Sequence, residues 1–442
     1  MDEQKMQEDI SSIQRMKECG CFKNYIEYIQ FPFYKNLVEH SRINFDFPMT
    51  VLIGKNGAGK SSTLHALYGA PKGYTCSDFW FSTEVDPIAE GGINRYFYGY
   101  RENAGSGIKE VMKTRMKRGS AKKKIDLDYW ETSRPKQKDG MLLSERNSPV
   151  DKEVIYLDFR AEVSAFDKIF HFSKEGLEDR KELLRSRSKY LKRLFENKDM
   201  RFPGVEDSKM GKIEILSPRV VKIIGSILNK QYSDIRVAEH RLFKNFGTSV
   251  YIKNKYATGY SEANAGSGEI AVVQLVRRIE KASEYALVLL DEPEVSLHPG
   301  AQENLKSYLL DAIKKKKLQV IISSHSPALI KGLPNSAIKL FKTNENGKFY
   351  IEENVHYQEA FYNIEDKVGD KKIIYCEDYA AQILIEKTLV YMKKEEFFEV
   401  VYFHGGEKTL INHYMTPITL NKTLSEKIFM VLDGDMKTDY VF

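Results

Sequence analysis

Long apolar runs are scarce in this chain: stretches such as Tyr285 to Leu290 and Val320 to Ile322 fall far short of the ~20 residues that cross a bilayer. No membrane span is expected. The stretch Met1 to Cys19 is charged throughout and has no apolar centre, which excludes a secretory signal and predicts a cytoplasmic protein. Cysteines number four. Cys19 and Cys21 form a Cys-x-Cys pair, but Cys76 and Cys376 are distant, so zinc-like spacing is incomplete and buried or incidental thiols are expected. Low-complexity tracts and solenoid repeats are also lacking. With 42% hydrophobic and 29% charged residues, ordinary globular structure follows rather than disorder. The net charge of +6 permits contact with nucleic acid but is too small to announce it.

The chain has 442 residues, too many for one typical core, so two or three domains are expected, one of them an insertion. Short strands are predicted at Tyr25 to Ile29 and Ile43 to Phe47, followed by the apolar run Val51 to Ile53, a glycine-rich loop and a helix over Ser61 to Tyr68. Lys109 to Tyr129 alternates apolar and basic residues and predicts a hairpin turning at Gly119-Ser120. Leu177, Leu184 and Leu191 recur at seven-residue spacing, which predicts a helical hairpin or lobe within Ser173 to Glu196, with Ser173 as N-cap. Downstream come a helix (Gly268 to Ala282), a strand (Ala286 to Leu290), a helix (Pro299 to Lys314) and a strand (Leu318 to Ser323), the rhythm of a parallel α/β sheet. A hairpin over Ala337 to Glu352 closes that domain. The rhythm then restarts with strand Lys372 to Tyr375, helix Tyr379 to Tyr391 and strands Phe398 to Phe403 and Ile428 to Leu432. A second, smaller α/β unit is implied.

Gly54-Lys55-Asn56-Gly57-Ala58-Gly59-Lys60-Ser61 matches the P-loop pattern, in which backbone N–H groups converge on phosphate oxygens. Gly54, Asn56, Gly57, Gly59, Lys60, Ser61 and Ser62 are the expected ATP-binding residues. Lys60 would reach the β and γ phosphates, and the Ser61 hydroxyl would enter the Mg²⁺ shell. Leu287 to Pro293 supplies the matching half, a buried strand that carries two carboxylates to its C-terminal end. Asp291 would hold Mg²⁺, and Glu292 would deprotonate the attacking water. Ser323-Ser324-His325-Ser326-Pro327 follows the next strand and would place His325 near the γ-phosphate as a contact or sensor.

The series GKNGAGKSS, LVLLDEPEVSLHP and ISSHSP resembles ABC-type ATPase heads of the soluble branch, which includes the RecF-like and SMC-like proteins and the overcoming-lysogenisation-defect nucleases. The resemblance implies an ABC-type P-loop head over residues 1–340 with a helical insertion at 155–245. In that family a signature segment opens the helix before the acidic strand. Ala265-Gly266-Ser267-Gly268-Glu269 holds that place, so Ser267 and Gly268 would complete the nucleotide site of a second protomer. A homodimer or higher oligomer follows. The family's glutamine loop is sought in Phe79 to Ile88.

Residues 341–442 resemble the Toprim domain of those nucleases. One strand ends in Cys376-Glu377, Gly405-Gly406 follows the second, and the third ends in Asp433-Gly434-Asp435. Glu377, Asp433 and Asp435 would bind Mg²⁺ or Mn²⁺; acids ending strands as solvated turns are the competing reading. Asp378 stands where the family has glycine, and the sequence stops at Phe442, which implies a shortened or inactive Toprim or a cut chain.

Two basic runs could track a phosphate backbone. One is Lys109, Lys113, Arg115, Lys117, Arg118 and Lys122 to Lys124; the other is Arg185, Arg187, Lys189, Lys192 and Arg193. The functional expectation is an ATPase that controls nucleic-acid processing, of the kind found in bacterial anti-phage systems. It would work with a separate nuclease or effector subunit. A regulatory ATPase that only binds and releases such a subunit is the alternative, and the soluble-branch motifs disfavour an ABC transporter.

Overall fold

The computed structural model describes residues 3–85, 93–117, 128–196, 213–243, 245–256, 258–357, 359–360, 371–392, 394–395, 397–402 and 428–432. The chain opens with α1 (Glu3–Glu18), β1 (Tyr25–Phe33), β2 (Ser41–Asn44) and β3 (Met49–Gly54), and β3 runs through the phosphate loop into α2 (Lys60–Tyr68). Then come β4 (Arg95–Arg101), β5 (Lys109–Lys117), β6 (Asp128–Ser133), β7 (Val154–Asp158), α3 (Ala165–Phe172) and α4 (Leu177–Phe195). β8 (Ile213–Ile215), α5 (Pro218–Leu228), β9 (Tyr232–Phe243), β10 (Asn245–Asn254) and β11 (Tyr260–Ser261) lead to α6 (Ser267–Lys281). β12 (Leu287–Asp291), α7 (Pro299–Lys316), β13 (Gln319–Ser324), the one-turn α8 (Pro327–Ile330), β14 (Ile338–Thr343) and β15 (Phe349–Glu353) follow.

Every residue of β3, β12 and β13 is buried, as expected of strands covered on both faces in a parallel sheet. They form the centre of a six-stranded sheet ordered β15-β14-β3-β13-β12-β7. β14, β3, β13, β12 and β7 run parallel, and β15 is antiparallel at one edge. The register sets Asp158 beside Asp291, Asp291 beside Ser323, and Ser324 beside Ile53. One sheet edge thus gathers the phosphate loop, the acidic strand end and the segment entering His325, the crevice where open α/β sheets bind ligands. A five-stranded antiparallel sheet, β2-β1-β4-β5-β6, and a four-stranded one, β11-β10-β9-β8, complete this unit.

Compact units divide at Met1–Ile364 and Glu365–Phe442. The boundary lies beyond residue 340 because β14 pairs with β3 and β15 pairs with β14, so the hairpin is part of the nucleotide-binding sheet. The span 155–245 carries α3, α4 and α5, but it also holds nearly all of β7, a strand of that same sheet, and β9. Ser173 caps no helix start. It ends α3 with an extended backbone, and α4 begins only after Gly176. Leu184 and Leu191 are buried as their spacing predicts, whereas Leu177 is 46% exposed. Of the expected strand residues past Asn44, Phe45 still donates its N–H to Glu27 O of β1 at 2.8 Å and Phe47 lies beyond the strand; both stay in the core.

The second unit contains β16 (Lys372–Cys376), α9 (Tyr379–Tyr391), β17 (Phe398–Tyr402) and β18 (Ile428–Val431). Its three strands are parallel, in the order β17-β16-β18. The Asp378 side chain accepts the Ala381 N–H at 2.7 Å and caps α9, which gives this aspartate a structural role. Glu377 directly follows β16. Gly405, Gly406, Asp433 and Asp435 lie outside the described residues. Among the described residues no helix is long and apolar enough to cross a membrane, and all four cysteines are free.

Candidate nucleotide site

Three glycines of the phosphate loop take positive φ: Gly54 at 155°, Gly57 at 77° and Gly59 at 95°. Gly54 has a second reason to be glycine, since a Cβ there would lie 2.5 Å from the Phe341 carbonyl oxygen. The loop leads into α2, whose first turn contains no acidic residue, so the positive end of the helix dipole is left for an anion. Lys60 is only 4% exposed. Its ammonium donates to the carbonyls of Gly54 at 2.7 Å and Lys55 at 2.9 Å, spanning the loop where phosphates would lie. Burial lowers its pKa to about 8, against the opposing pull of Glu292 and Asp291. Lys35 donates to the Ser62 hydroxyl at 3.0 Å and Tyr34 to the Ser62 carbonyl at 3.1 Å, which fixes the start of α2 against the chain following β1.

Ser61 and Asp291, 230 residues apart, meet: the hydroxyl lies 3.1 Å from one Asp291 oxygen. Burial raises the Asp291 pKa, and hydrogen bonds from Ser61 and Ser323 oppose that rise. A hydroxyl from the first turn of α2 and a carboxylate from the end of β12 are the hard oxygen donors that Mg²⁺ takes when it also binds nucleotide phosphates. The donor set therefore fits that ion, which when bound neutralises phosphate charge. Among the described residues no cluster of three or more His, Cys, Asp or Glu side chains forms a separate metal site.

Glu292 turns out of β12 in the left-handed region, φ 50°, a conformation that non-glycine residues adopt at some cost. Its backbone N–H donates to the Ser323 carbonyl at 2.9 Å. His325 Nε2 lies 3.6 Å from Glu292 Oε1, beyond hydrogen-bond length, and that buried nitrogen has no hydrogen-bond partner among the described residues. Burial and then the Lys60 charge lower the His325 pKa, so the ring is neutral at pH 7 and one nitrogen can donate. The His325 backbone N–H donates to Glu294 Oε1, which ties the histidine segment to the acidic one.

Arg160, two residues beyond β7, was not among the expected site residues. Its guanidinium reaches Asp158 at 3.0 Å, Asp291 Oδ2 at 3.1 Å and Glu292 Oε1 at 3.6 Å. Tyr156 also donates to Asp291, at 3.4 Å, and meets His65 at 3.2 Å; burial brings the His65 pKa down to about 4. Phe79 stacks on His65 with ring centroids 4.3 Å apart. No glutamine occurs in Phe79 to Ile88, so the loop sought there is absent from that segment, and the strand end beside Asp291 belongs to β7. Arg160 offsets three carboxylates, one of them fully buried. Arg160→Ala is therefore expected to destabilise the nucleotide-free protein by about 1–3 kcal/mol, less than a fully buried pair because the arginine is half exposed. Millimolar Mg²⁺ should recover more of the loss in the variant than in the wild type. Thermal melting with and without Mg²⁺ measures both, and equal Mg²⁺ responses would show that arginine and ion do not compete for Asp291.

Ser267 is exposed at the N-terminus of α6 and, among the described residues, makes no hydrogen bond to the phosphate loop of its own chain. Gly268 packs tightly, since a Cβ on it would lie 2.4 Å from the Ser296 carbonyl oxygen. The segment Ala265 to Glu269 therefore abuts the stretch leading from Glu292 to α7. Of the basic residues on the β5–β6 hairpin, Lys113 is buried with a pKa lowered to about 8, and Lys109 pairs with Glu102 at 2.7 Å. Arg118 and Lys122 to Lys124 lie outside the described residues. On α4, Arg185, Lys189, Lys192 and Arg193 are exposed.

Fold and site define a P-loop ATPase. A family model described as "AAA domain, putative AbiEii toxin, Type IV TA system" matches residues 114–331, a span that begins after the phosphate loop and includes Asp291, Glu292 and His325. Protein ea59 of Escherichia phage lambda is 29% identical over 119 residues, 27% of this chain. The match spans 21% of that protein's length. Among solved structures, the SMC head domain of Thermotoga maritima aligns with a TM-score of 0.38 at 16% identity, covering 75% of this chain and 99% of that one. The Smc head domain bound to the C-terminal domain of ScpA, from Pyrococcus furiosus, aligns at 0.42 and 13% identity, covering 77% and 99%.

Proposed function

We propose that ATP closes two copies of this chain head to head, each lending Ser267 and Gly268 to the other's nucleotide, and that this closure controls nucleic-acid processing in anti-phage defence. The observation that carries the dimer reading is the separation of Ser267 from its own phosphate loop. An exposed helix N-terminus with free N–H groups suits a γ-phosphate delivered by a partner. The Gly268–Ser296 contact supports a link from that helix to the segment following Glu292. A phage-encoded relative and a family description that refers to a toxin–antitoxin system support the defence setting.

The test uses Glu292→Gln with ATP and light scattering. A shift to a dimer or larger assembly is expected, and adding Ser267→Arg should prevent it by filling the shared pocket. A mass indifferent to ATP and to Ser267 would refute shared nucleotide sites.

Within this reading the C-terminal unit is the effector or its docking platform, with Glu377, Asp433 and Asp435 as ligands for Mg²⁺ or Mn²⁺. The alternative, release of a separate nuclease or toxin subunit, is favoured by Asp378, whose carboxylate is engaged as a helix cap. Plasmid incubated with Mn²⁺ separates effector from docking platform. Cutting lost in both Glu377→Ala and Asp433→Ala makes this chain the nuclease, whereas cutting only with a partner subunit supports docking.

A further inference from the structure

Alongside α5 lies a groove of about 750 Å³, lined by a face of that helix from Pro218 to Ser226, the turn at 229–231, the start of β9 and Lys255. Its charged lining residues are Lys222, Lys230 and Lys255, without a carboxylate among them, and all three are exposed. The C-terminal carbonyls of α5 would ordinarily repel an anion. Here Gly225 O accepts the Lys230 N–H at 2.9 Å, and Asn304 donates to Ser226 O at 3.1 Å and Ile227 O at 3.3 Å, so these carbonyls are already satisfied. Next in sequence to the lining residue Lys255, the Tyr256 ring is 82% exposed, with Lys255 Nζ 5.3 Å from its centroid. Lysines along a channel, one of them against an exposed aromatic ring, are the elements that hold unpaired strands, where phosphates meet the cations and a base stacks on the ring.

The groove also connects to the nucleotide machinery. Lys230 Nζ lies 2.8 Å from Glu269 Oε1, and Tyr232 and Tyr260 donate to that same oxygen. The other Glu269 oxygen accepts the Gly266 N–H at 3.2 Å. One carboxylate thus holds the first turn of α6, and a groove lysine holds that carboxylate.

We propose that this groove binds the phosphate backbone of a single-stranded nucleic acid, and that a phosphate competing for Lys230 loosens the Glu269 cap and so alters the presentation of Ser267 and Gly268. The second half rests on the shared-nucleotide reading; the first does not. A phosphate has the charge to draw the ammonium from Glu269, since the lysine exchanges one charge-assisted partner for another.

The test is fluorescence anisotropy of a labelled oligothymidylate, without nucleotide, over a series of salt concentrations. Lys222→Glu/Lys255→Glu is expected to weaken binding at least about tenfold and to reduce the slope of log affinity against log salt by roughly 0.7 for each phosphate no longer neutralised. Lys315→Glu, an exposed lysine on α7 paired with Asp311, serves as charge control and should leave affinity unchanged. Tyr256→Ala should weaken oligothymidylate several-fold and leave heparin binding unaltered. Thermal melts verify that each variant folds. An unaffected double variant, or an equal loss in Lys315→Glu, would overturn the groove; a duplex bound as tightly as the single strand, with no dependence on Tyr256, would overturn the single-strand assignment. For the coupling, oligothymidylate should change the affinity for a fluorescent ATP analogue in the wild type but not in Lys230→Met. An identical response in the two would overturn the Lys230 link. Oligonucleotide affinity is measured without ATP, so failure of the groove and failure of the ATPase reading give different results.

Discussion

Glu292→Gln is expected to leave ATP affinity within about twofold of wild type while lowering turnover by about 10²- to 10⁴-fold, the range general-base catalysis supplies. The substitution preserves size and one acceptor oxygen but cannot take a proton from water. Its surroundings argue that the position is prepared for this role. The backbone turns left-handed at Glu292 and is held by Ser323 O, which aims the side chain along the sheet edge that carries Asp291 and the phosphate loop. His325 Nε2 and Arg160 Nη1 each lie 3.6 Å from Glu292 Oε1, near enough to orient the carboxylate and stabilise developing charge. Steady-state phosphate release together with calorimetric ATP binding separates the two effects. Undiminished turnover would transfer the base role elsewhere, and Glu294 is the nearest candidate. Its carboxyl is buried with a raised pKa, and it already contacts the His325 backbone.

What could be read from residue order was what local chemistry writes densely. Glycines at 54, 57 and 59 mark positive φ, and the apolar runs within β3, β12 and β13 mark a buried parallel sheet, so the convergence of Ser61 and Asp291 at one sheet edge was legible from the sequence. Arg160 was not. Its partnership with Asp291 depends on β7 pairing with β12 across more than a hundred residues, and residue 155 onward reads as the start of a helical insertion. A signal did exist: Val154 to Asp158 is a short apolar strand ending in aspartate, the same form as Leu287 to Asp291. The first basic run misled at Lys113 for a related reason. Alternation along β5 was visible, but only the packing of β4, β5 and β6 reveals that Lys113 faces inward. Lys230 was overlooked because its meaning lies in Glu269, a contact made by the turn between α5 and β9. Gly268 illustrates the mixed case, since the motif marked it as a phosphate contact while the fold also requires it for the approach to Ser296.

Lys60→Ala is expected to weaken ATP binding by at least about a hundredfold, because each charge-assisted hydrogen bond contributes about 1.5–3 kcal/mol and about 1.4 kcal/mol is tenfold in affinity. The ammonium now bridges Gly54 O and Lys55 O inside the loop, so binding exchanges two carbonyls for phosphate oxygens without drawing a new cation out of water. Burial has already lowered its pKa to about 8, and this gives the prediction a pH dependence of definite sign. Phosphates stabilise the charged form, so the pKa of Lys60 must be higher with ATP bound than without it. Below about pH 8 the lysine is protonated in both states and affinity should be flat. Above that, free protein has lost the proton that the complex needs, so affinity should fall with a slope approaching tenfold per pH unit until the pKa of the complex is passed. Calorimetry in two buffers of different ionisation enthalpy checks the mechanism, since proton uptake on binding should grow over the same interval. Lys60→Ala should show neither the slope nor the uptake. An affinity in that variant equal to wild type, or a wild-type affinity that rises with pH, would mean that phosphates are held by the loop backbone and the α2 dipole alone.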